Sequence, residues 1–103
     1  MHLPIKKETV LLDLIFATEA GLLTPSVHAI EQMKARNIDF SDIEEAVYTA
    51  VREDHKDELT KDSTAWKYAI RGTNQNGDKD IRIIVLYLES PRMLIVTAID
   101  KNK

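Results

Sequence analysis

The sequence predicts an α+β domain, with N-terminal helices packed on one face of a small, mainly antiparallel sheet formed by the C-terminal half. Two observations predict it. Through about residue 62 the apolar residues recur at helical spacing; from residue 64 they alternate, or run continuously between turn residues. In addition, no internal repeat, low-complexity tract or glycine- and serine-rich linker divides the chain, so the 103 residues, 44% of them hydrophobic, are expected to form one domain over 1–103.

In KKETVLLDLIFATEAG, Val10, Leu11, Leu12, Leu14 and Ile15 give a broad apolar face, and Gly21 stands where a left-handed helix stop belongs. This first helix is expected to be well buried. LLTPSVHAIEQMKARN predicts a second helix over about 25–36. Thr24 or Ser26 caps it, Pro25 fits a first turn that needs no N–H, and Asn37 suits the stop. In FSDIEEAVYTAVRE, Ser41 and Glu44 have the spacing of a capping box, and Ile43, Ala46, Val47, Ala50 and Val51 carry the helical period. The acidic span REDHKDELTKD then reads as a charged turn or frayed helix end held in water.

TAWKYAIR alternates, with Trp66, Tyr68 and Ile70 on one face and Lys67, Ala69 and Arg71 on a wetter one. GTNQNGDKD is a turn, IRIIVLYL a central strand, ESPR the next turn and MLIVTAI a closing two-sided strand.

Several function classes fall away. Without cysteine there is no disulfide, thiolate metal site or cysteine nucleophile, which fits a reducing cytoplasm. His2, His28 and His55 are dispersed, so neither a metal nor another cofactor is expected. VLLDLIFA is broken by Asp13, falls short of the roughly 20 residues that span a bilayer, and lacks a signal-peptide cleavage pattern. A cytoplasmic protein with no membrane partner is the expectation. The net charge of −3 argues against indiscriminate nucleic-acid binding. Its distribution is uneven: residues 39–62 hold nine acids against three bases, residues 63–103 four acids against seven bases. The C-terminal half could face an anion, or simply carry solvated lysines and arginines on strand edges.

His28, Gln32 and Arg36 lie at steps of four, which at about 100° per residue gives a stripe spanning roughly 80°. Ala29, Ile30 and Met33 fall on the adjoining face. Such a stripe is either the rim of a packed helix, with Arg36 favouring the helix dipole, or one wall of a site.

SVHAIEQMKARNIDFSDIEEAV, WKYAIRGTNQNGDKDIRIIVLYLE and LIVTAI together resemble a bacterial domain family of uncharacterised function. Its pattern is a Ser-x-His-Ala-x-x-Arg-Met-x-x-Arg-Gly-Ile helix, a capped second helix, a Tyr-x-x-x-Gly strand ending and a closing Val-Thr strand. The resemblance covers about residues 26–100 and leaves residues 1–23 as an added N-terminal helix. That family is similar to the superfold of small ribonuclease toxins that includes RelE, BrnT, MqsR and the colicin-type and EndoU nucleases. Gln32 stands where the family often has Arg, which removes a cation that could grip a phosphate. Asn37 replaces a frequent Gly, a mild change because Asn also adopts the left-handed conformation.

The resemblance implies metal-free RNA cleavage by attack of the ribose 2′-hydroxyl on the neighbouring phosphorus. That reaction needs a base, an acid and cations for the charged transition state. The implied catalytic set is His28 for proton transfer, Arg36 and Arg82 for phosphate neutralisation, and Thr97 as a donor. Lys67, Tyr68, Arg71 and Tyr87 are the implied substrate-binding residues, although both tyrosines also suit half-buried strand positions. RNA and a cognate antitoxin are the implied partners. Two other readings stand beside this one. One is a catalytically inactive protein-binding module on the same fold, of antitoxin, immunity or effector-partner type, using the acidic span. The other is a structural domain that forms a homo-oligomer through VLLDLIFA.

Overall fold

The computed structural model describes residues 3–102; His2, weighed above as a metal ligand, and Lys103, counted among the bases, lie outside them. Three helices, α1 (Val10–Glu19), α2 (Val27–Ala35) and α3 (Phe40–Tyr48), accompany the strands β1 (Leu23–Pro25), β2 (Val51–Arg52), β3 (Glu58–Leu59), β4 (Trp66–Thr73), β5 (Asp80–Tyr87) and β6 (Met93–Asp100). The fold is the expected α+β. Strand order is β1-β6-β5-β4-β2, with β3 also paired to β4. The long strands β4, β5 and β6 form an antiparallel meander, and β1 runs parallel to β6. No helix among the described residues is long and apolar enough to cross a membrane.

The helix starts differ from their sequence signals, later for α2 and earlier for α3. In α1, Val10, Leu14, Ala17 and Thr18 are buried, while Leu12 and Phe16 stay 70% and 56% exposed, so only part of the expected apolar face is used. Gly21 stops it at φ +73°, as expected. Ser26 is the cap of α2, its hydroxyl accepting from the Ala29 N–H at 3.0 Å. Pro25 belongs to β1 rather than to the first turn of α2, because Leu23–Pro25 adds to the sheet opposite Met93–Ile95. Asn37 takes the left-handed conformation at φ 56°.

For α3 the capping box is Asp39 with Asp42, whose carboxylate accepts from the Asp39 N–H at 2.9 Å, two residues before the expected Ser41 and Glu44. Ile38 and Ile43 stand at the positions of a hydrophobic staple around that cap, and both are core residues. Burial of the residue before the cap therefore decides where this helix begins.

One sheet face is covered. Tyr68 and Ile70 of β4, Ile81, Ile83 and Val85 of β5, and Met93, Ile95 and Ala98 of β6 join the helices in a single core. Gly72 allows α3 to lie against β4: a Cβ there would sit 2.1 Å from the Ala46 carbonyl oxygen. By parity and register the opposite face carries Lys67, Ala69 and Arg71, then Arg82, Ile84 and Leu86, then Leu94, Thr97 and Ile99.

The two flanks of the meander are finished by side chains. Along β6, α2 continues where β1 ends, and Gln32 Oε1 accepts from the Ala98 N–H at 2.9 Å. Along β4, the acidic span is an interrupted edge strand, with β2 and β3 separated by a 3-10 turn over Asp54–Lys56. The gap is bridged twice: the Glu53 N–H donates to the Ala69 carbonyl at 2.9 Å, and Asp57 Oδ1 accepts from the Ala69 N–H at 2.8 Å. This span is thus part of the sheet and not a solvated turn or frayed helix end.

Candidate functional site

The open sheet face brings together two guanidiniums and two carboxylates. Arg71 and Arg82 are direct cross-strand partners in register, an arrangement of like charges that repels unless anions stand close by. Both anions are present. Glu53 receives Arg82 Nε at 2.6 Å and Arg82 Nη2 at 3.1 Å, while Asp80 receives Arg71 Nε at 2.9 Å and Arg71 Nη2 on its other oxygen. Arg71 Nη1 also lies 3.7 Å from Glu53, which joins the two pairs into a quartet.

Electrostatics follow from these contacts. The Arg82 hydrogen bond holds the Glu53 carboxyl below its usual range against the opposing effect of burial, and the charges of Arg82, Arg71 and then His55 add to that. The Arg71 hydrogen bond likewise holds Asp80 below the ordinary range. Both guanidiniums are pushed upward by the same bonds and stay charged. A concavity of about 420 Å³ opens beside the quartet, walled by Glu53, Arg71 and Asp80 with Thr49, Val51 and Thr73.

The residues singled out from the sequence fall into three places. Arg71, Arg82, Thr97 and Lys67 share the open face: Thr97 pairs with Ile84, one row from Arg82, and Lys67 lies 3.9 Å from Glu58. Tyr68 and Tyr87 are on the helix-covered face instead. The Tyr68 hydroxyl accepts from the Lys7 N–H at 2.8 Å and that of Tyr87 donates to Asp13, with the two rings edge to face at 5.8 Å. Burial first, then the Asp13 carboxylate, raises the Tyr87 hydroxyl well above its ordinary value.

His28 and Arg36 form the third group, on α2 beside β6. His28 is exposed and Arg36 half-buried at the C-cap of α2. Between β6 and the β2 edge that precedes Glu53 lie β5 and β4, about 14 Å at the usual strand spacing. Arg82 stands on β5, next to β6, and Arg71 on β4 beyond it, and among the described residues no hydrogen bond or ion pair links either guanidinium to His28. Gln32, at the middle of the stripe, acts as an acceptor for a strand amide, which an arginine cannot do.

Glu53 and His55 were not among the residues singled out from the sequence. The available signal was the pair of arginines on neighbouring strands of one sheet face, which demands counter-ions. Asp80 was recoverable by parity, but Glu53 comes from the edge turn that helical spacing concealed.

The family model described as a domain of unknown function, DUF4258, matches residues 26–100. The chain belongs to this family. The DUF4258 match takes in α2 through β6, hence the whole quartet, His55 and His28, and leaves out α1, β1 and the segment before them. No curated protein and no solved structure matches the chain.

Proposed function

We propose that this DUF4258 domain is a metal-independent endoribonuclease similar to the RelE and BrnT toxins, with its reacting groups on the open sheet face. The observation that carries the reading is the Glu53 carboxylate bound by the Arg82 guanidinium and approached by that of Arg71, beside a concavity. A guanidinium pair that binds carboxylate oxygens bidentately also fits phosphate oxygens.

In this reading an RNA phosphate takes Arg71 and Arg82 from their carboxylates. Glu53, freed from the cation that depresses it, becomes a stronger base and accepts the ribose 2′-hydroxyl proton. The 2′-oxygen bonds to phosphorus, the bond to the 5′-oxygen breaks, and the leaving oxygen takes a proton from His55, the general acid two residues beyond Glu53. The products are a 2′,3′-cyclic phosphate and a 5′-hydroxyl. Arg71 and Arg82 hold the charge that builds on the phosphoryl oxygens.

Cleavage of a fluorescently quenched RNA in the presence of EDTA tests the proposal. Glu53→Gln is expected to lower the rate by about a hundredfold or more, the scale of a lost general base, while His28→Ala cleaves normally. Substrate with 2′-deoxyribose at every position is expected to remain intact. Cleavage that survives Glu53→Gln, or that leaves a 5′-phosphate, overturns the reading.

A second reading rests on charge balance: both guanidiniums on this face already carry a carboxylate. That favours a catalytically inactive protein-binding module presenting a neutral, hydrogen-bonded surface. Copurification of one specific protein, lost on Arg71→Ala, with no RNA cleavage by the wild type, supports this alternative.

A further inference from the structure

Asp57 poses a problem that its neighbours solve. Its carboxylate is fully buried, at 0% side-chain exposure, and a buried carboxylate is costly unless donors surround it. The Ala69 N–H at 2.8 Å and Arg52 Nη2 at 2.7 Å are two of those donors, both from within the sheet. The third is Lys6, whose ammonium comes from outside the sheet and lies 3.1 Å from Asp57 Oδ2. The same ammonium is 3.4 Å from the Asp54 carbonyl oxygen and 4.5 Å from the centre of the Trp66 ring. A carboxylate, a carbonyl and an aromatic face are the three kinds of group that recognise a primary ammonium.

The segment that carries Lys6 is held by polar anchors. Trp66 Nε1 donates to the Pro4 carbonyl at 2.7 Å, and the Lys7 N–H donates to the Tyr68 hydroxyl at 2.8 Å, one anchor on each side of Lys6. Apolar burial contributes little, because Leu3 is 59% and Ile5 93% exposed. Asp54, Asp57, Trp66 and Tyr68 all lie within the family match at 26–100, whereas Lys6 lies before it. The receptor is part of the family domain, and its occupant is supplied by the preceding segment.

We infer that Asp57, the Asp54 carbonyl and the Trp66 ring form a built site for a primary ammonium, that Lys6 fills it in cis, and that its occupancy locks the edge turn. Between Asp54 and Asp57, Lys6 spans the two ends of the turn that carries His55 and follows Glu53. The lock concerns turnover only if the RNA reading holds, so the test reads the turn itself.

Hydrogen exchange of the Lys56 and Asp57 amides, bonded to Glu53 and Asp54 carbonyls, reports on the turn in the full chain. Lys6→Ala is expected to speed their exchange about tenfold while the amides of β5 and β6 keep their protection, the mark of local opening. Adding n-butylammonium chloride at tens of millimolar is expected to restore protection in Lys6→Ala and to leave the wild type unchanged; sodium chloride at equal ionic strength does neither. Unchanged exchange in Lys6→Ala overturns the lock. Faster exchange that butylammonium does not reverse, or that sodium reverses equally, overturns the ammonium site. None of these outcomes depends on whether RNA is cut.

Discussion

The two flanks of the antiparallel meander meet the same requirement with different chemistry. On the β6 side an unpaired strand N–H, that of Ala98, is met by the neutral amide of Gln32 from α2. On the β4 side the N–H of Ala69 is met by the buried carboxylate of Asp57 from the edge turn. A neutral acceptor ends the matter, because nothing further must be balanced. An ionised acceptor calls up cations, and Arg52 and Lys6 follow. The charged flank lies next to Glu53 and its guanidiniums, so the groups capable of chemistry gather there, while the helix that drew attention in the sequence guards the neutral flank.

Breaking the charged flank should have the largest effect. Asp57→Ala takes from the part-buried Arg52 the nearer of its two anions, leaving only Asp54 Oδ1 at 3.5 Å, and takes from the Ala69 N–H its acceptor. A loss of about 3–5 kcal/mol in unfolding free energy is expected from urea denaturation, the scale of a broken buried ion pair. On the neutral flank, Gln32→Arg installs the residue the resembled pattern often has but removes the acceptor for Ala98, so a smaller loss of about 1–3 kcal/mol is expected by the same measurement.

Acid should separate the flanks without mutation. Glu53 and Asp80 titrate below their ordinary values of 4.5 and 3.8 in the folded protein. Their contribution is therefore complete above the unfolded-state values and is lost as pH falls through the depressed folded ones. Urea midpoints should drop on acidification below about pH 4.5, less steeply in Glu53→Gln and with unaltered slope in Gln32→Ala. The smallest effect belongs to His28→Ala: an exposed side chain with no hydrogen bond or ion pair among the described residues should change stability by less than about 0.5 kcal/mol.

What was legible follows from how local each determinant is. Gly21 and Asn37 end helices through their own backbone preference, and both were readable. The Tyr68 and Ile70 face was readable because strand parity is fixed by the pleat. Pro25 was misplaced, since nothing within five residues reveals that Leu23–Pro25 pairs with Met93–Ile95. REDHKDELTKD hides its role for the same reason: its two short pairings with β4 are joined across the turn by the Glu53 N–H and by the Asp57 side chain, which stands in for a missing strand carbonyl. At the candidate site, Arg71 and Arg82 were readable as cations of one half of the chain, but their counter-ion Glu53 comes from the other half.

The sequence by itself determined the order of the three helices and the three long strands, the helix stops and which residues of those strands share a sheet face. These depend on backbone propensity and on side-chain periods of 3.6 and 2. Only the tertiary structure decided which face the helices cover, which flank each short segment closes, and therefore that Glu53 meets Arg82 while His28 does not. Those outcomes depend on contacts between residues distant in the chain, and such contacts form only when burial of the whole core repays the entropy of bringing them together.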